Sequence, residues 1–350
     1  MRCLDDGWIA GGRRVIEFEE AWAAYCGRSY GVAVSNGTVA LQLAVASLNL
    51  PHGSKIAMPA FTIMSCPLAA IHNGLIPKLV DVDPDTWCID VDKAIEAMQE
   101  PTVRAVMPVH MYGHPANMSS LVDHAKRRFG ITVIEDAAQA HGAEYEFNGV
   151  KKAGFAGQLS CFSFYSNKLV TTGEGGMVLT DDQKSANHMR SLRNLCFGHG
   201  DDRFKHVGLG HNFRMTDLQA AVGVAQIKSL EARVKAKRRL AGRYREILQH
   251  SSIQHPVELP GYKNVYWMYG IVLDRPARPI MKKLQEAGVE TRPFFHGLHR
   301  QPPLRQSSLD ATGQFPVTDR LSTNGLYLPS GTKLSDDQIE FAATKLLEAL

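Results

Sequence analysis

Between residues 32 and 180 short β-branched runs alternate with stretches of helical spacing, and that alternation leaves few folds open. Segments 32–34, 55–58, 76–80, 105–109, 133–134, 159–164 and 176–180 read as strands, and 39–49, 64–73, 90–98, 118–129 and 183–195 carry helical patterns. Repetition of this kind builds an α/β layer, a central, mostly parallel sheet sandwiched by helices. Its ligand site lies outside the carboxyl ends of the strands.

The flanking segments extend this plan. Residues 13–26 place Val15, Ile16, Phe18, Trp22 and Tyr25 at helical spacing, after a glycine-rich turn carrying Trp8, which serves packing or the edge of a site. Thr216 reads as the N-cap of a helix whose Ala220, Ala221 and Val224 suit close packing against another helix, in this chain or a partner. A chain of 350 residues is expected to form two lobes, here 1–230 and a smaller α+β lobe over 231–350. Strands at 265–273 and 289–292 and helices at 278–287 and from Asp336 furnish the second lobe.

Composition narrows the function classes. A net charge of +4 is small for this length, and the densest basic stretch, 233–245, has helical spacing and reads as a solvated face, not a nucleic-acid surface. The six cysteines, at 3, 26, 66, 88, 161 and 196, form no CxxC pair and read as reduced thiols of a cytoplasmic protein. Met1 opens into Arg-Cys-Leu-Asp-Asp with no apolar leader, and no apolar run reaches membrane-spanning length, so secretion and membrane insertion are not expected.

Three places carry chemistry. Lys168 follows a buried strand at once, with Ser163 before it and Gly173-Glu-Gly-Gly176 after it. A lysine held there suits an amine that condenses with an aldehyde, although a lone loop lysine is ordinarily just solvated. The turn Ser35-Asn-Gly-Thr38 joins a strand to a helix start, where free N–H groups and the helix dipole suit a phosphate. Asp136 ends a strand before Ala137-Ala-Gln139; it can stabilise a protonated ring nitrogen or simply cap the next turn. His110 and His114 offer only two imidazoles on a turn broken by Gly113 and Pro115, which favours a structural role over a metal site.

Together, Ser35-Asn-Gly-Thr38, Glu135-Asp-Ala-Ala-Gln139, Phe162-Ser-Phe-Tyr-Ser-Asn-Lys168, Gly173-Glu-Gly-Gly176 and Asn212-Phe-Arg-Met-Thr-Asp-Leu-Gln-Ala-Ala221 resemble the DegT/DnrJ/EryC1/StrS sugar aminotransferases. The resemblance runs from about Gly7 to the C-terminus with every block in order. It implies fold type I, like that of aspartate aminotransferase, with pyridoxal 5′-phosphate (PLP) as cofactor. Lys168 would bind the cofactor covalently and shuttle protons, and Asp136 would pair with the ring nitrogen. Gln139 would lie near the ring, while Gly37, Thr38, the N–H of Val39 and the hydroxyl of Ser163 would hold the phosphate. Asn212 would reach the neighbouring subunit's site in a homodimer. Trp8, Arg214, Arg292 and His296 are candidate substrate contacts.

Two departures stand out. Where the family places an aromatic residue to stack on the ring this chain has Ile63, so either an aliphatic face packs the ring or Phe61 compensates. The chain also begins later than many relatives, as a late start codon or a shortened chain would produce. Segments 80–90, 107–115 and 171–177 resemble enzymes that move the amino group of L-glutamate to C4 of GDP-4-keto-6-deoxy-D-mannose for cell-surface polysaccharide. A UDP- or dTDP-linked 4-keto-6-deoxyhexose is the alternative. A sugar dehydratase of this fold carries histidine at the position of Lys168, and a non-catalytic PLP-binding regulator would not need the whole constellation.

Overall fold

The computed structural model describes residues 2–198, 200–249 and 252–350. The main sheet holds β1 (Tyr30–Val34), β2 (Lys55–Pro59), β3 (Ile76–Val80), β4 (Val103–Val106) and β5 (Thr132–Asp136). A hairpin of β6 (Glu144–Glu146) and β7 (Val150–Lys152) intervenes before β8 (Leu159–Ser163) and β9 (Gly176–Thr180) complete it. The order is β1-β9-β8-β5-β4-β2-β3. Pairing is parallel from β3 through β8, and β9 runs antiparallel to both its neighbours.

Nearly every residue of β5, β8 and β9 is buried, so both faces of the sheet are covered. The helix Arg13–Cys26 buries Phe18 and Trp22 in this core, and the helix Asp217–Ile227 packs on it. The small-residue face is why they approach closely: a Cβ on Gly223 would meet the Phe18 ring at 2.5 Å. Thr216 caps that second helix through a full capping box with Gln219. Asp217 does more. Its buried carboxylate accepts N–H bonds from Gly12, Arg14 and Val15, capping the neighbouring helix across 200 residues of sequence.

The second sheet is antiparallel, β10 (Tyr269–Val272), β12 (Gly325–Leu328) and β11 (Arg292–Pro293), in the order β10-β12-β11. Helices Leu230–Leu248, Ala277–Glu286 and Asp336–Ala349 cover it with a separate core around Tyr244, Tyr269 and Leu346. The long helix serves both cores, Leu230 and Val234 in the first and Leu240 to Leu248 in the second.

Two strands are shorter than their sequence suggests. Tyr266 takes φ 47°, which breaks the expected 265–273 strand and leaves only its end paired. The expected 289–292 strand shrinks to Arg292–Pro293, where proline has no N–H for a longer ladder. The helix expected over 118–129 is α-helical through Asp123 and then widens into a π-type turn, His124–Phe129.

The small lobe is laced to the large one. Asp310 exchanges backbone hydrogen bonds with Pro77 and Leu79, covering the β3 edge, and its carboxylate pairs with Lys55 at 2.6 Å and Lys78 at 3.2 Å. Asp81, just beyond β3, accepts from the N–H groups of Val317 and Thr318 and from the Thr318 hydroxyl, capping the helix Pro316–Asn324.

Candidate active site

The carboxyl ends of β1, β5 and β8 open onto a cavity of ≈ 600 Å³ whose wall includes Gly37, Thr38, Val39, Asp136, Gln139, Ser163 and Lys168. These residues come from three separate stretches, and the sheet order that sets β8 between β5 and β9 brings them together.

One end of the cavity is a cradle of hydrogen-bond donors. The helix Gly37–Ser47 starts there, earlier than its apolar spacing suggests, because the Asn36 side chain caps it by accepting from Val39 N–H at 3.0 Å. That engagement corrects one expectation: Val39 lines the cavity, but its N–H is already bonded. The N–H groups of Gly37 and Thr38 have no protein partner among the described residues. Thr38 Oγ1 lies 2.8 Å from Ser65 Oγ, and Ser163 adds a third hydroxyl. Gly37 is required by this closeness, since a Cβ there would meet Ser163 Cβ at 2.5 Å. Gly176 is required likewise, because a Cβ would collide with the Asn36 carbonyl.

Asp136 is buried at the end of β5. Burial raises its carboxyl above the usual range, against the Ala138 N–H at 3.0 Å, the Cys66 thiol at 3.3 Å and the Lys168 amine. Its neighbour Glu135 points to the other face of the strand and is saturated. It accepts from His110 Nε2, Tyr145 Oη, Ser160 Oγ and the N–H groups of Gly154, Ala156 and Gly157, at 2.6–3.1 Å. Burial pushes this carboxyl up, but the His110 bond and the backbone donors prevail and hold it at about 2. His110 Nδ1 accepts from Ala116 N–H, which leaves the ring's proton on Nε2 for Glu135. The His114 ring stacks on Tyr262 at 5.4 Å.

Lys168 faces this cavity and a second one of ≈ 610 Å³ behind it. Burial lowers its amine to about 7, and the Asp136 charge only partly opposes that fall. A fraction of the amine is therefore neutral near pH 7, as a nucleophile requires. The nitrogen lies 3.4 Å from the centroid of the Trp267 ring.

Other expected residues lie elsewhere. Gln139 is buried on the wall and accepts from Tyr112 N–H at 2.9 Å. Ile63 lines the cavity, whereas Phe61 is fully buried among Tyr112, Phe294 and Phe295, so the aliphatic side chain is the one on the wall. Asn212 is exposed and bridges to Asn194, outside its own subunit's cavity, and Arg214 also bonds Asn194. Trp8 and His296 are exposed, and Arg292, paired with Glu290, borders the second cavity. Ser65, Cys66 and Trp267 were not singled out from sequence. The first two open the helix Ser65–Ile71, and only the fold brings them beside Thr38 and Asp136.

The set fits PLP on its own chemistry. Unpaired N–H groups and hydroxyls suit a phosphate, an amine with a depressed pKa suits an aldehyde, and a buried, under-satisfied carboxylate suits a protonated ring nitrogen. The profile of the DegT/DnrJ/EryC1/StrS aminotransferase family matches residues 1–346. GDP-perosamine synthase of Caulobacter vibrioides is 37% identical over 361 residues, covering 100% of this chain and 94% of that protein. UDP-N-acetyl-3-dehydro-alpha-D-glucosamine 3-aminotransferase of Acidithiobacillus ferrooxidans is 33% identical over 100% of this chain and 92% of its own. The crystal structure of a DegT DnrJ EryC1 StrS aminotransferase from Brucella abortus superposes with TM-score 0.91 at 28% identity, over 99% of this chain and 93% of its own.

Proposed function

Since the chain belongs to the DegT/DnrJ/EryC1/StrS aminotransferase family, a PLP-dependent sugar aminotransferase family, we propose that it moves an amino group from L-glutamate to C4 of GDP-4-keto-6-deoxy-D-mannose, giving GDP-perosamine. The observation that carries the chemistry is the single cavity shared by the Lys168 amine, the Asp136 carboxylate and the Gly37-Thr38 cradle. The GDP-sugar assignment draws on the Caulobacter relative, matched over 94% of its length. We place the cofactor lobe at 1–230 and the smaller lobe at 231–350.

Bound PLP supplies the electron sink that makes a carbon–hydrogen bond beside the nitrogen acidic. Asp136 would keep the proton on the ring nitrogen, favoured by its burial opposite no other strong donor. Lys168 Nζ would hold the cofactor, then, once released, carry a proton from one carbon to the next. Thr38, Ser65 and Ser163 would anchor the phosphate, and Gln139, fixed by Tyr112, would limit sideways movement of the ring.

A homodimer with shared sites completes the reading. Asn212 faces solvent away from its own cavity, and Phe204 and Leu209 on the same loop are 79% and 97% exposed, as side chains awaiting a second copy would be. Mixed heterodimers of Lys168→Ala and Asn212→Asp should then recover activity in one of their two composite sites; no recovery from folded, dimeric mutants would place Asn212 in its own subunit.

The substrate is tested by a half-reaction screen. Convert the enzyme to its pyridoxamine form and offer GDP-, UDP- and dTDP-linked keto sugars; only the GDP-4-keto-6-deoxymannose arm should restore the pyridoxal spectrum. Restoration by a UDP- or dTDP-linked 4-keto-6-deoxyhexose instead would establish the second reading, which the Acidithiobacillus UDP-sugar relative keeps in play.

A further inference from the structure

The Trp267 ring lies 3.4 Å from the Lys168 nitrogen although 99 residues separate them, and the ring is held from two sides. Its indole N–H donates to the Asn167 carbonyl at 2.9 Å, one residue before the lysine. Its own carbonyl accepts from the buried Lys237 amine at 2.6 Å, and that amine also bonds the Ser330 carbonyl. The ring is itself 6% exposed and borders the cavity, so its face can be neither swung aside nor replaced by water cheaply. Trp267 comes from the irregular segment after Tyr266, whose φ of 47° turns the chain there.

We infer that Trp267 is a positioning residue for the transamination, a π-face resting place for the Lys168 ammonium whenever that amine is free of the cofactor. The inference rests on the proposed role of Lys168. A lysine that alternates between nucleophile and proton carrier must spend part of each cycle charged in a buried site. Asp136 cannot serve it then, because the carboxylate is committed to the ring nitrogen. An aromatic face stabilises a desolvated ammonium without offering an acceptor that would trap its proton. Burial lowers the amine and the Asp136 charge partly opposes that fall; when that charge is taken up by the ring nitrogen, the indole face 3.4 Å away is what remains to favour the ammonium. The titratable groups around the amine are Asp136 and His141 in the large lobe, Glu174, Tyr112, Tyr165 and Tyr327 on the cavity wall, Arg233 and Lys237 from the long helix, and Glu290 and Arg292 on the second cavity.

The test reads the amine itself. In the full chain stripped of cofactor, the pH dependence of Lys168 acetylation, followed by mass spectrometry of its peptide, reports the amine's pKa. Trp267→Phe keeps a π face and should titrate close to the wild type. Trp267→Leu keeps bulk without one and should titrate about one pH unit lower, the value of a partly desolvated cation–π contact. Trp267→Met is the substitute if the leucine variant fails to fold. Leu or Met variants that titrate with the wild type or above it, or a Phe variant that titrates with Leu, would overturn the inference. Failure of the underlying reading is seen separately, as a borohydride-fixed pyridoxyl group on a lysine other than Lys168.

Discussion

Glu135 and Asp136 are successive carboxylates on one strand, both buried, and they have opposite fates. Glu135 faces six donors and ionises far below an ordinary glutamate; Asp136 faces one backbone N–H and a thiol, and its carboxyl is raised. Strand alternation separates them, so the two faces of β5 divide the work. A buried charge that is fully bonded holds the 154–160 loop and β8 in place. A buried charge left short of partners is waiting for a cation, and that shortage marks the functional face.

The sharpest way to test this contrast is Asp136→Asn. The fold should persist, PLP should remain bound, and turnover should fall by about three orders of magnitude, ~4 kcal/mol of transition-state stabilisation. Near-normal turnover would reduce Asp136 to a turn cap. Glu135→Gln should behave oppositely, lowering unfolding free energy by about 3 kcal/mol because an amide donor then faces donors. The wild type should also lose this contribution on acidification: with a folded value near 2 against 4.5, stability falls as pH drops through that interval, and the glutamine variant should be flatter there.

Lys168→Met extends the comparison to the cation. The folded amine titrates near 7 and the unfolded one near 10.5, so between those values only the unfolded chain holds the proton and wild-type stability rises with pH. The methionine variant lacks that penalty; without cofactor it should be ~3 kcal/mol more stable at pH 8, and the advantage should shrink toward pH 10 in thermal melts. The smallest effect is expected from Thr38→Val, which removes one hydroxyl of the phosphate cradle: PLP affinity, measured by spectroscopic titration, should weaken about tenfold. An unchanged affinity would assign Thr38 and Ser65 to packing alone.

Much of this was legible before any coordinates. The strand and helix alternation led directly to the sheet; Lys168, just beyond one buried strand, and Asp136, at the end of another, were candidates by placement, and the family resemblance gave them their expected roles. What stayed hidden arrives through space. Glu135 looks like its neighbour in sequence, and its saturation depends on donors from three later segments. Trp267 reads as one aromatic in an aromatic strand, yet a left-handed Tyr266 ends that strand and delivers the indole to a lysine 99 residues earlier. The strand β12 and the helix Pro316–Asn324 were missed because each is short and begins at a residue, glycine or proline, that reads as punctuation.

The lacing between lobes bears on traffic. Asp310 clamps Lys55 and Lys78 at one sheet edge, Asp81 grips the helix at Pro316, and the long helix is rooted in both cores. A body riveted at these points resists hinge motion between the lobes, so the two substrates of the proposed reaction would take turns through the same fixed doorway. Exit of the first should then depend on its grip inside the room and scarcely on solvent viscosity, which slows swinging doors but not open ones.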